Sequence, residues 1–212
     1  MRKTYKKFYQ DYLSRELKLA PWQKVGVMLL VVVIAGFVGW VYEFLVALVE
    51  TGEVYMQGGN LLPWINIYAI GAVLLVPATY KFRKHPWAVF LVAVLVTGVV
   101  ELVGGWLGDE IGYGTRYWNY DHGLWLVGNI NGFVCLLSVT FFGLGAMGLI
   151  YAILPMCEYA AMRWNKRIFL AVAGVLFGLV MVDEVVNLTL KNLDQPTAMD
   201  FYRSLGAKYQ EF

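Results

Sequence analysis

The chain has 212 residues, of which 59% are apolar and 15% charged, with a net charge of +2. Soluble domains are roughly 45–50% apolar and about 25% charged, so this composition excludes an ordinary soluble domain and places the chain in a bilayer. Apolar runs of the roughly 20 residues that cross hydrocarbon recur along it, and they give an all-α integral membrane domain, 25–190, between a basic head, 1–24, and a tail, 191–212.

In the head, Tyr5, Phe8, Tyr9, Tyr12 and Leu13 fall at helical spacing among Lys3, Lys6, Lys7, Arg15 and Lys18. This pattern predicts an amphipathic helix in the cytoplasmic headgroup layer, with the rings in the interface and the lysines on anionic lipid. The lipid bilayer is therefore the expected partner, and nucleic acid is not. No small-residue cleavage pattern marks the first apolar run, which is expected to stay as an anchor.

Five transmembrane helices are expected, over Val25–Val49, Pro63–Phe82, Pro86–Gly108, Gly132–Leu154 and Ile168–Leu190. Pro77 should kink the second, and Gly36, Gly39, Gly104, Gly108, Gly174 and Gly178 should let helices approach closely. Basic residues set the orientation. The head carries Arg2, Lys3, Lys6, Lys7, Arg15, Lys18 and Lys24; two alternate connections carry Lys81, Arg83, Lys84 and Arg163, Lys166, Arg167. The other side has only Arg116, Lys191, Arg203 and Lys208. Thirteen against four predicts a cytoplasmic amino terminus and an extracytoplasmic carboxyl terminus in a bacterial plasma membrane.

Ionisable groups inside spans are costly and mark function. Glu43, Glu101, Asp183 and Glu184 fall at similar depth toward the outer side of three outward-running helices. Asn66 and Tyr68 open the second span on that side, Asn129 and Asn131 precede the fourth, and Asn187 follows Asp183 by one turn. A ligand site built from Glu43, Asn66, Tyr68, Glu101, Arg116, Asn129, Asn131 and Asp183 is the expectation, roofed by the loop Arg116–Gly132. Alternatives stand beside it: Glu43 snorkelling to headgroups, Arg116 neutralising one acid, and only one of Asp183 and Glu184 facing the site.

Several motifs carry less. Gly143-Leu144-Gly145-Ala146-Met147-Gly148 matches a dinucleotide fingerprint but lies inside a span without a preceding strand. His122 beside Asp121 has no fixed ligand spacing, so no metal and no cofactor is expected. Cys135 and Cys157 read as small apolar packing residues. No catalytic residue is assigned, and an enzyme is not the favoured reading, although paired Glu43 and Glu101 could move protons on a lipid-linked substrate.

The ordered set Gly39-Trp40-Val41-Tyr42-Glu43, Ile67-Tyr68 with Gly71, Glu101, Arg116-Tyr117-Trp118-Asn119-Tyr120, Asn129-Ile130-Asn131-Gly132, Cys135-Leu136 and Pro155 resembles the CmpB-like ABC-transporter type IV permeases. The resemblance covers roughly Gly36 to Pro155. Six positions depart from that pattern: Met56 stands where the family has asparagine, Gln57 and Phe133 where it has arginine, Asn66 where it has proline, Ala69 where it has glycine, and Asn119 where it has an acid. The resemblance implies a transporter or permease-like subunit, with an ATP-binding partner. The chain itself has no GxxxxGK[ST] phosphate loop. A homo-oligomer or a second membrane subunit is expected, because five spans without an internal repeat do not readily make a complete alternating-access transporter. A non-catalytic assembly subunit is the alternative reading.

Overall fold

The computed structural model describes residues 2–14, 17–111 and 118–209. Its first element, α1 (Arg2–Ser14), is separate from α2 (Pro21–Thr51). Pro21 supplies a preset φ at the first position of α2, and Gln23 Oε1 accepts from the Ala20 N–H at 2.8 Å. The helix stops at Gly52, whose φ of 70° lets its N–H donate to the Leu48 carbonyl. Then come β1 (Tyr55–Met56), α3 (Asn66–Tyr80) and α4 (Pro86–Ile111).

A short 3-10 turn, Gly123–Leu126, precedes α5 (Leu136–Gly148), which continues through a π-helical turn, Leu149–Ile153, into α6 (Leu154–Arg163). Asn165 Oδ1 accepts from the Arg167 N–H at 2.9 Å and starts α7 (Lys166–Asn192). After α8 (Ala198–Ser204), β2 (Lys208–Tyr209) pairs in parallel with β1, Tyr55 opposite Lys208 and Met56 opposite Tyr209. The tail thus returns to the loop that follows α2.

Among the described residues, four helices are long and apolar enough to cross a membrane: Pro21–Thr51, Pro86–Glu110, Leu136–Arg163 and Lys166–Asn192. The chain is a multi-pass, all-α membrane protein. The run expected as a full second span folds as α3, only 15 residues long, about 22 Å of helix against the roughly 30 Å of hydrocarbon. Its shortening has a local cause. The Ile65 N–H donates to the Gly36 carbonyl at 3.2 Å and Trp64 Nε1 to the Val32 carbonyl at 3.4 Å, so the chain before Asn66 lies extended along α2.

α2 is the central helix: it packs on α3, α6 and α7, while α4 packs on α3 and α5. Two of the expected glycine contacts explain how closely α2 is approached. A methyl group on Gly36 would overlap the Trp64 indole, and one on Gly39 would overlap the Tyr68 ring. Gly174 and Gly178 on α7 meet nothing within 4 Å.

α1 differs from its expectation. Its apolar face does not turn outward to lipid but packs on the bundle, with Phe8 and Tyr12 buried and the Phe8 ring edge-on to Tyr159 at 5.0 Å. Tyr9 and Tyr12 donate their hydroxyls to the Tyr151 and Ile150 carbonyls at 3.0 and 2.5 Å. These carbonyls belong to the π-helical turn, where the regular i to i+4 ladder is interrupted. They give the two hydroxyls acceptors inside the bundle.

Candidate functional site

Glu101 lies in α4 with only 3% of its surface exposed. Its two oxygens accept from the Tyr120 hydroxyl at 2.7 Å and the Ser138 hydroxyl at 2.9 Å. Ser138 is placed by the start of α5, where its N–H donates to Cys135 Sγ while its own Oγ accepts from the Cys135 N–H at 3.2 Å. Tyr120 is placed by Asn129, whose Nδ2 donates to the Tyr120 carbonyl at 2.7 Å and whose Oδ1 accepts from the Gly132 N–H at 2.7 Å. Burial, and next the Glu101 carboxylate, push the Tyr120 phenol well above its ordinary pKa. It therefore stays protonated and remains a donor.

Glu43 on α2 accepts from the Tyr68 hydroxyl of α3. Rings gather around this pair: Tyr42 meets Tyr68, Phe141 and Phe142 at centroid distances of 6.2, 6.1 and 6.2 Å. One further acid of α2, Glu50, accepts from Trp125 Nε1, and Trp125 stacks on Tyr120 at 5.2 Å. Glu43 and Glu50, seven residues apart, share one face of α2. Neither Glu43 nor Glu101 has a basic partner among the described residues.

A cavity of about 180 Å³ adjoins this cluster between α2, α3, α4 and α5, bounded by Gly39, Tyr42, Tyr68, Thr97, Phe142 and Gly145 among others. Its wall is mostly apolar, and neither Glu43 nor Glu101 lines it directly. Carboxylates held only by hydroxyl donors in apolar surroundings can take a proton or attract a cation.

The expected site is thereby divided. Asp183 accepts from the Leu61 and Leu62 N–H groups at 3.1 and 2.7 Å and from Asn187 Nδ2 at 2.8 Å. Glu184 accepts from Asn60 and Asn66 Nδ2 at 2.7 and 3.1 Å, and Asn187 Oδ1 accepts from the Ala198 N–H at 2.8 Å. These residues fasten the loop before α3 and the start of α8 to α7. Asn66 and Tyr68 part company because two residues along a helix turn about 200°. Asn131 is exposed at a φ of 54°, in the tight turn closed by the Ile130 N–H and the Val134 carbonyl at 2.8 Å. Arg116 lies outside the described residues.

Tyr120, Ser138, Tyr42, Trp125 and Glu50 were not among the expected site residues. Ser138 had a signal, as a hydroxyl inside an apolar run. Tyr120 and Trp125 did not stand out from the surrounding aromatic residues, which read equally well as an interface belt.

The family described as Putative ABC-transporter type IV matches residues 30–188, from within α2 to near the end of α7. The chain belongs to this family. No curated protein and no solved structure matches it. As a member of the ABC-transporter type IV family, it carries Glu43, Tyr68, Glu101, Tyr120, Ser138, Asp183 and Asn187 inside the matched region, while α1, α8 and β2 lie outside.

Proposed function

We propose that the protein is a small transporter or permease-like subunit of a bacterial plasma membrane, with Glu43 and Glu101 as its ligand-binding acids. The observation that carries this reading is the pair of acids on α2 and α4, bonded only to Tyr68, Tyr120 and Ser138 hydroxyls and facing no base among the described residues. Such a pair favours a proton, a monovalent cation or the cationic end of a polar metabolite. The adjoining cavity of about 180 Å³ is small beside the usual 300 Å³ or more of a drug-sized site, which favours a small ligand. In this reading α3 completes the bundle as a fifth, short span, the amino terminus is cytoplasmic, and Asn66, Arg116, Asn129, Asn131 and Asp183 support the outer rim. If ATP drives the movement, a partner subunit supplies the site for it.

Reconstitution tests this directly. In proteoliposomes carrying the full chain, flux of sodium, potassium or methylammonium, or of protons read by an internal dye, is expected above protein-free vesicles. Glu101→Gln should lower it at least about tenfold, because a neutral amide removes the charge that the site offers. Wild-type flux in that variant, with equal insertion, would overturn the assignment.

A second reading, an assembly subunit without its own transport, draws on α7, whose Gly174 and Gly178 meet nothing within 4 Å beside exposed Val175, Leu179 and Val182. A glycine face of this kind suits a neighbouring membrane helix.

A further inference from the structure

At the end of the bundle that carries α1, Arg83 presents an unmet demand. It is 1% exposed, and among the described residues its Nε, Nη1 and Nη2 have no hydrogen-bond partner. The rings of Tyr12 and Tyr80 cover the guanidinium at 4.3 and 3.9 Å. Ring faces attract the charge but do not accept the N–H groups, which radiate in the guanidinium plane. Glu158, buried on α6, accepts nothing from Arg83, and its own Oε2 is without a donor among the described residues. The two charges therefore do not close on each other.

Arg83 forms part of the wall of an open groove of about 540 Å³, with Gln10, Leu13, Ser14, Lys84 and Tyr151 around it. This volume is in the range of small-molecule sites. No acid among the described residues lines the groove. Lys84 is exposed at its edge, and the hydroxyl of Ser14 and the amide of Gln10 come from the facing α1. Phe82 and Trp87, 41% and 80% exposed on either side of the turn, are the aromatic flanks of a headgroup-level surface.

We propose that the groove between α1 and the Lys81–His85 turn binds a phosphate group, with Arg83 as its buried ligand and Lys84 at its edge. A phosphate offers several oxygens in a tetrahedral array, enough to take the planar fork of Arg83 and the point charge of Lys84 together. A single carboxylate has fewer acceptors to share among them. The Arg83 nitrogens are closed to bulk water, so binding includes a small opening of α1 away from the turn. The phosphate can come from a lipid headgroup or from solution, and the chemistry at Arg83 is the same.

The test uses the delipidated full chain in neutral detergent, titrated with short-chain phosphatidic acid, with inorganic phosphate and with the matching diacylglycerol, and followed by native mass spectrometry and thermal shift. Both phosphate-bearing probes should bind and diacylglycerol should not. Tighter binding of phosphatidic acid identifies a headgroup site, and equal or tighter binding of inorganic phosphate identifies a soluble one. Arg83→Gln should weaken binding at least about tenfold, and Arg83→Lys should recover part of it. Should Arg83→Gln fail to fold, Lys84→Gln carries the test, with an expected loss of several-fold. Binding no better than diacylglycerol would show a groove that holds water only, and unchanged affinity in Arg83→Gln or in Lys84→Gln would place the phosphate away from this turn; either result overturns the proposal.

Discussion

Two glycines that look alike in sequence have opposite surroundings. The Tyr68 ring lies where a Gly39 side chain would be, whereas Gly174 faces open space. Gly39→Ala should therefore destabilise the fold by about 1–3 kcal/mol through overpacking. It should also disturb the Tyr68 hydroxyl at Glu43. Gly174→Ala should be neutral or stabilise by up to about 1 kcal/mol from helix entropy alone. Thermal unfolding of the two variants in one detergent measures the contrast. At this scale the sequence showed which residue types mattered but not their partners. Glu43, Tyr68 and Glu101 were legible as polar groups inside apolar runs. That Glu101 pairs with Tyr120 and Ser138, and that Asn66 serves Glu184, depended on helix rotation that spacing along one strand of text does not contain.

At the scale of elements, the long helices were readable because apolar composition over 25 or more residues leaves few alternatives. α3 was not, because its length is limited by the extended Trp64 and Ile65 lying on α2, a tertiary contact rather than a composition change. The same loop is held from the other side by Asp183. Replacing Asp183 with alanine removes the acceptor for the Leu61 and Leu62 N–H groups and for Asn187. Leaving a buried donor unmet costs about 1–3 kcal/mol. Hydrogen exchange at Leu61 and Leu62 should accelerate in Asp183→Ala, while the Glu101-dependent flux persists. Loss of flux with undisturbed exchange would instead place Asp183 in the ligand site.

Over the whole molecule, the tail is tied back to the loop after α2 by the β1 and β2 pairing and by the Lys208 to Glu53 ion pair at 2.6 Å. The hydrogen bond and charge of Lys208 lower the Glu53 pKa, and those of Glu53 raise the Lys208 pKa. Glu53 thus contributes above its unfolded value, about 4.3, and its contribution fades as pH falls through the lowered one; Lys208 contributes below about 10.4 and fades as pH rises through the raised one. Both groups are exposed, so the effect is modest and screened by salt. Spin labels at Val54 and Ala207 should report a short distance at neutral pH that broadens at acid and at strongly alkaline pH, and also in about 1 M salt. A distance independent of all three would show that strand pairing alone holds the tail.

The π-helical turn at Leu149–Ile153 has one more consequence, for the phase of the helix that contains it. The turn takes up one extra residue, so everything after it lies about 100° behind its place in an uninterrupted α-helix. The Leu136–Arg163 helix is therefore two screws in series, the first phased so that Gly143 and Ser138 meet α4, the second so that Cys157, Glu158 and Ala161 are buried near α1 and α2. Deleting one residue from the turn, such as the exposed Ala152, should close it into regular α-helix while keeping that phase, so that Glu158 and Cys157 stay in the core and only the open carbonyls used by Tyr9 and Tyr12 are lost. Cys157 should stay protected from thiol labelling in the deletion variant as in the parent, while α1 loosens on its seat; labelling of Cys157 in the variant would show that the turn does not set the phase.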